Sequence, residues 1–399
     1  MTTHPLEGQV QGNPEPELLD GRMWVDGCFD FFHHGAIFQA RQQCSELYAG
    51  VHSDEAILAN KGPTVMNLDE RVAATDACRW VTKSIPYAPY VTSLPFISHY
   101  GCRYVVHGDD ITSDSDGNDC YRFVKEAGRF KVVKRSPEGD GSPEERMELG
   151  DSMHSRIKCY ASDETALAPG VAVWFWRSIE QATLEGSGPG KFSQVKGIQG
   201  KPVQPGQRIV YVDGGFDLFS SGHIEFLRQV ALKEEELSKG GPPSYIVVGI
   251  HEDSVINEWK GVNYPIMNVF ERGLCVLQCK YIHAVVFGAP ASPSRAYLES
   301  LPSGTPVAVY HGPTAYMPLT YDPYKAPKEM GIYEEIGSHA FQHVNAGEIV
   351  ERIMKNKEMY EARQRKKGVK AGLEAQVRER EALEEEQRKK EAERLAAAN

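Results

Sequence analysis

Short apolar runs, each followed by a polar, glycine-bearing turn and then by a stretch with helical spacing, recur along the chain. Met23–Val25, Leu47–Val51, Tyr104–Val106, Ile209–Val212 and Tyr245–Ile250 are such runs. They are continuous rather than alternating. Strands of that kind are buried on both faces, which predicts parallel sheets covered by helices. Leu68–Thr82 and Val269–Cys279 carry helical spacing, with Asn67 and Asn268 placed as N-caps. The pattern therefore predicts an α/β protein with Rossmann-like domains.

The same design occurs twice. Asp26, Gly27, Phe29, Asp30 and Gly35 match Asp213, Gly214, Phe216, Asp217 and Gly222, in the order Asp-Gly-x-Phe-Asp and then Gly. Further matches follow in sequence: Val51-His52-Ser53-Asp54 with Ile250-His251-Glu252-Asp253, Lys61-Gly62 with Lys260-Gly261, and Met66-Asn67 with Met267-Asn268. Glu70-Arg71 then pairs with Glu271-Arg272, Ala88-Pro89 with Ala289-Pro290, and His107-Gly108 with His311-Gly312. The expected organisation is a disordered N-terminus at 1–20, a first domain at 21–135 and a Pro-, Gly- and Ser-rich linker at 136–206, with some helix near Pro143–Ala161. A second domain at 207–354 and a charged helical tail at 355–399 complete it. The first sheet is expected to lack its last strand–helix unit. The tail has too few apolar residues for a coiled-coil seam or a membrane-surface helix and reads as a solvated helix.

Composition narrows the function classes. The 399 residues carry a net charge of −11, which argues against a nucleic-acid binder and against attraction to anionic membranes. No apolar stretch approaches the roughly 20 residues of a spanning helix. The polar start, Met1 to Asp20, does not read as a signal peptide. Eight cysteines form no CxxC pair, so reduced thiols in a cytoplasmic protein are expected, with no metal site.

In open parallel sheets, ligands bind beyond the carboxyl ends of the strands, where the strand order switches. The repeated turns sit at such ends. Glycines 27, 35, 214, 215 and 222 allow close approach of backbone to a ligand. Helices starting near Gly35 and Gly222 offer free N–H groups to phosphate. A histidine can donate to phosphate oxygens, and Lys61 and Lys260 can serve as point charges. The set suits in-line transfer at a nucleotide phosphorus, driven by positioning and charge neutralisation. Taken alone, an Asp-Gly-x-Phe-Asp is more often a turn, and a Lys-Gly more often surface. Their ordered recurrence favours a nucleotide site.

These residues resemble the HxGH nucleotidyltransferases and, within them, the cytidylyltransferases. The resemblance is carried by VDGCFDFFHHG (25–35), NKGPTVMNLDER (60–71), CRWV (78–81) and VVHGDDIT (105–112), and by YVDGGFDLFSSGH (211–223), YPIMNVFER (264–272) and YHG (310–312). Two such domains in tandem look like the ethanolamine-phosphate branch. That branch implies CTP and phosphoethanolamine as substrates, magnesium with the nucleotide, and catalysis in the first copy. It is compatible with a homodimer. The implied catalytic residues are His33, Lys61, His107 and Arg135. The implied nucleotide contacts are Gly27, Cys28, Phe29, Gly35, Gly108 and Asp109, with Gly215, Phe216, His223, Lys260, His311 and Gly312 in the second copy. Asp30 and Trp80 are the implied acceptor contacts.

The sequence also departs from that pattern. Ala36 stands where the second histidine of HxGH belongs, and Ser220-Ser221-Gly222-His223 keeps only the second. Arg135 is followed by SPEGDGSPEER in place of a Ser/Thr-rich loop. A catalytically impaired nucleotide-binding relative, or an incomplete gene reading, stays open as the alternative.

Overall fold

The computed structural model describes residues 17–31, 35–108, 112–133, 149–178, 190–261, 263–312, 321–362 and 364–365. The first copy runs β1 (Leu19–Gly27), α1 (Gly35–Arg41), β2 (Glu46–His52), α2 (Asp54–Asn60), α3 (Leu68–Asp76), β3 (Lys83–Ala88), α4 (Leu94–His99), β4 (Cys102–Gly108), α5 (Arg122–Glu126) and β5 (Phe130–Val133). An intervening segment gives α6 (Leu149–Tyr160), β6 (Ala172–Ser178) and β7 (Gly190–Gln194). The second copy gives β8 (Ile209–Gly214), α7 (Ser221–Ser238), β9 (Tyr245–His251), α8 (Asp253–Lys260), α9 (Val269–Leu277), β10 (Ala284–Ala289), α10 (Arg295–Glu299), β11 (Ala308–His311), α11 (Lys325–Glu329), β12 (Tyr333–Glu335) and α12 (Ala346–Lys355).

Both sheets are the parallel type that the continuous apolar runs require. The first has the order β3-β2-β1-β4-β5, with every neighbouring pair parallel. The second has the order β12-β11-β8-β9-β10-β6-β7. Strand order therefore switches between β1 and β4 and again between β8 and β11, which fixes where each crevice opens. Asn67 and Asn268 cap α3 and α9 with full capping boxes to Glu70 and Glu271, as the sequence indicated.

Three expectations about organisation change. The first strand begins at Leu19, inside the stretch read as disordered. The first sheet keeps its last strand, because β5 pairs with β4 from Val105–Phe130 to Gly108–Val133. The segment read as a linker is built into both copies. Its strand β6 lies parallel to β10, with β7 antiparallel beside it. Its loop after α6 holds α1, through Arg41 to the Glu164 carbonyl (2.7 Å) and Gln42 to the Ala166 carbonyl (3.0 Å). Pro, Gly and Ser obscured the strand because the apolar run AVWF is short and bounded by turn residues. Most of the charged tail lies outside the described residues. Among those described, no helix is long and apolar enough to cross a membrane.

The copies meet across a local two-fold. The Arg79 amide donates to the Gln278 carbonyl and the Lys280 amide to the Ala77 carbonyl, both at 2.8 Å. These are the same bond seen from either side, since 77 and 79 correspond to 278 and 280 in the repeat. Trp80 lies at this junction. It is fully buried, edge-on to Phe38 (5.1 Å) and Tyr160 (5.7 Å), and its Nε1 donates to Ser162 Oγ at 3.0 Å. It is core and has no face toward a crevice, so its expected acceptor contact is withdrawn. Trp80→Ala should cost about 3–5 kcal/mol of unfolding free energy through the cavity it leaves. Chemical denaturation reads this directly, and a loss below ~1 kcal/mol would contradict the packing account.

Candidate functional site

Each site grows from the turn after the first strand of its copy. Phe29 and Phe216 adopt φ values of 52° and 50°, a region that residues with side chains seldom occupy. Strain held at the same place in both copies marks a turn fixed for a purpose. An added Cβ on Gly27 would lie 3.4 Å from the Phe29 ring, which folds back over it. The turn is braced from beneath. The Asp30 carboxylate accepts the amides of Val65 (2.9 and 3.0 Å) and Met66 (2.8 Å). Asp217 does the same for Ile266 (2.8 Å) and Met267 (2.9 Å). Asp30 thus braces the loop through three amides of its own chain, a role the sequence did not assign to it.

A buried arginine completes the brace. Arg71 donates to the carbonyls of Met66 (3.1 Å), Cys28 (2.6 Å) and His52 (2.8 Å), and to Asp54 Oδ1 (2.6 Å). Arg272 repeats the set on Met267, Gly215, His251 and Asp253. Cys28 and Gly215 therefore contribute carbonyls to the brace.

In the first copy, Gly27 to Phe29 and His107-Gly108 flank the switch between β1 and β4. Lys61 caps the end of α2, with Nζ 5.7 Å from the centre of the Tyr90 ring. Its charge reaches the crevice floor: buried His52, against Tyr90, is held below the usual histidine range by desolvation, and Lys61 adds to the effect. His107 Nδ1 lies 3.1 Å from the Gly108 carbonyl, and its ring packs 4.6 Å from Tyr121. Gly35 opens α1. His33, Asp109 and Arg135 lie outside the described residues.

The second copy encloses a cavity of about 420 Å³ at the same strand ends. Gly215, Phe216, His223, Lys260, His311 and Gly312 all line it, as does Trp259. His223 Nδ1 accepts the Ser220 amide at 3.2 Å, so in the neutral ring the proton sits on Nε2. Burial, reinforced by Lys260, pushes this imidazole down to about 4, so the ring is neutral at pH 7. A neutral Nε2–H is a hydrogen-bond donor suited to phosphate. His311 is likewise lowered by burial. Gly222 also lines the cavity and has a second role. A Cβ there would come 2.2 Å from the Val344 carbonyl oxygen, so its bareness admits chain.

Comparison with known proteins fits this geometry. A family model described as cytidylyltransferase-like matches residues 24–152. The ethanolamine-phosphate cytidylyltransferase of Dictyostelium discoideum is 39% identical over 359 residues, covering 88% of this chain and 95% of the relative. That of Mus musculus is 37% identical over 386 residues, covering 88% and 89%. The chain belongs to the ethanolamine-phosphate cytidylyltransferase family. Choline-phosphate cytidylyltransferase A of Rattus norvegicus matches at 37% over 136 residues, only 33% of this chain. The tandem architecture is thus what the ethanolamine-phosphate relatives share along their length.

Within this family frame, sequence reasoning missed two kinds of residue. Arg71 and Arg272 were visible in the repeat but carried no assigned role, since nothing local shows that an arginine is buried. Asp26 and Asp213 were likewise seen only as repeat markers. Asp26 accepts Trp24 Nε1 (2.9 Å), Thr92 Oγ1 (2.6 Å) and Tyr121 Oη (2.6 Å). Asp213 lines the second cavity and accepts Tyr324 Oη at 2.5 Å. Burial raises Asp213 to about 7. Between pH 4 and 7 the unfolded chain has released this proton while the folded chain keeps it, so this group makes the fold less stable as pH rises through that window. Asp213→Asn should therefore raise the melting temperature at pH 8 by more than at pH 5. An equal shift at both values would remove the carboxyl group as the cause.

Proposed function

We propose that the chain transfers the cytidylyl group of CTP to phosphoethanolamine, giving CDP-ethanolamine and pyrophosphate, as a cytoplasmic step toward phosphatidylethanolamine. The observation that carries this reading is the strained turn at the strand-order switch with a lysine at the same place in each copy, in a chain alike along nearly its whole length to enzymes of that name. The acceptor's phosphate oxygen attacks the α-phosphorus, the bond to the β-phosphate bridging oxygen breaks, and pyrophosphate leaves. Lys61 would hold the triphosphate and His107 would stand at the crevice edge. His33, Asp109 and Arg135, which lie outside the described residues, are proposed to complete the catalytic set. Among the described residues no group of three or more His, Cys, Asp or Glu stands ready for a metal. Magnesium is proposed to enter as the ion carried by CTP, as is usual for phosphate-bound Mg²⁺. All eight cysteines are free thiols, which suits a reducing cytoplasm.

A second reading is favoured by α1, which has seven residues where α7 has eighteen, and by Ala36. On that reading the chain binds CTP without turning it over. The deciding experiment incubates purified protein with CTP, magnesium and phosphoethanolamine and follows pyrophosphate and CDP-ethanolamine. Formation of both supports the transferase. Saturable CTP binding with no product establishes the binding relative instead.

A further inference from the structure

The two copies differ in what grips the loop between the lysine and the following helix. In the first copy this loop, Lys61–Met66, is held by the second copy. Arg352, on α12, places a two-pronged contact on Glu70, with Nη1 to Oε2 at 2.7 Å and Nη2 to Oε1 at 3.1 Å. Glu70 is the capping-box residue of α3, its other bond being to the Asn67 amide at 3.0 Å, and it is fully buried. One turn beyond α12, Tyr360 Oη donates to the Thr64 carbonyl at 3.0 Å. Val65 packs in one apolar cluster with Val344 and Ile349, joined by Leu218 and Tyr360. Its amide is also the one that Asp30 holds. The loop is thus pinned on one side by its own turn and on the other by α12.

Among the described residues, the second copy has no such clamp. Its matching Glu271 accepts the Asn268 amide and is exposed, and among the described residues no arginine reaches it from the first copy. A capping box needs only the amide of its own helix. Burying Glu70 against a guanidinium from the other copy goes beyond what α3 requires. Arg352 is itself oriented by Glu348, one turn earlier, at 3.0 Å. The lever begins at the second cavity, whose lining includes Asn345 and Ala346 at the start of α12.

We propose that Arg352 and Tyr360 are positioning residues: they set the first-copy loop that presents Lys61 to the nucleotide, so that α12 of the second copy tunes CTP use by the first. This rests on the reading of Lys61 as the triphosphate lysine. Neither residue touches substrate, and both act through Glu70 and the Thr64–Val65 backbone. A misplacement of about 1 Å at a positioned group can cost on the order of 10²-fold, so a loosened loop should be visible in steady-state kinetics.

The test uses the full-length chain and varies CTP and phosphoethanolamine separately. Arg352→Ala should raise KM for CTP about tenfold, with kcat and KM for phosphoethanolamine each within about twofold. Tyr360→Phe, which removes one hydroxyl, should raise KM for CTP about threefold and keeps the question open to measurement if Arg352→Ala does not fold. A lowered melting temperature with KM for CTP unchanged would reduce the clamp to simple interface stability and overturn the proposal. An equal rise in both KM values, or a loss confined to kcat, would also overturn it. Lys61→Ala separates the two levels. If that variant keeps the parent kcat and kcat/KM for CTP, the reading of Lys61 fails; if it is impaired while Arg352→Ala and Tyr360→Phe are normal, only the positioning role fails.

Discussion

Lys61→Ala should slow CTP-dependent pyrophosphate release by about 10²–10³-fold, the loss typical of removing one charge or donor aimed at a reacting phosphate. The lysine is placed for this by three local facts. It caps α2 beside the crevice, its side chain is exposed, and its charge is felt by His52 on the crevice floor. Its contact with the Tyr90 ring is of a kind worth only ~0.5–1 kcal/mol at an exposed position, so the melting temperature should barely move. A catalytic defect without a folding defect is therefore expected. Lys260→Ala should leave turnover within about threefold if the first copy carries the chemistry, since Lys260 serves the other cavity. Paired rate measurements and thermal melts on the two variants check both statements. Turnover of Lys61→Ala within threefold of the parent chain would remove the phosphate role.

The second large effect is on stability. Arg71→Met should cost about 3–5 kcal/mol, because it strands polar groups that the guanidinium satisfies in a buried place. Arg71 is fully buried and serves three carbonyls and one carboxylate from three separate stretches of chain. Methionine restores much of the volume but none of the donors, and each buried carbonyl left without one costs about 1–3 kcal/mol. Arg272→Met should behave alike in the second copy, where the network is the same. Urea unfolding of each variant measures the loss. A cost below ~1 kcal/mol would mean that water replaces the guanidinium and that the brace is dispensable.

Much of the architecture was open to inspection in the residues. Continuous apolar strands dictate a parallel sheet because a strand covered on both faces has no polar side to show. Asn67 and Asn268 announced their helices because a side-chain acceptor is needed where the first amides lack partners. The tandem repeat located the turns, and the turns located the sites. The site lists were less legible where burial decides the role. Trp80 looked like a contact for a small molecule, yet it is fully buried between Phe38 and Tyr160 with its indole N–H on Ser162. Asp30 looked like a substrate ligand alone, yet it also holds an amide thirty-five residues away. A carboxylate or an indole has the same local signature in either role, and only its neighbours in space distinguish them.

The sequence by itself settled the repeat, the sheet type and the helix starts, because each follows from periodicity or from a single backbone need. The tertiary structure alone decided that β6 and β7 belong to the second sheet, that Arg71 and Arg272 are internal braces, and that α12 reaches across to Glu70. Those outcomes depend on partners far away along the chain, and no local pattern of residues encodes which distant segment will arrive.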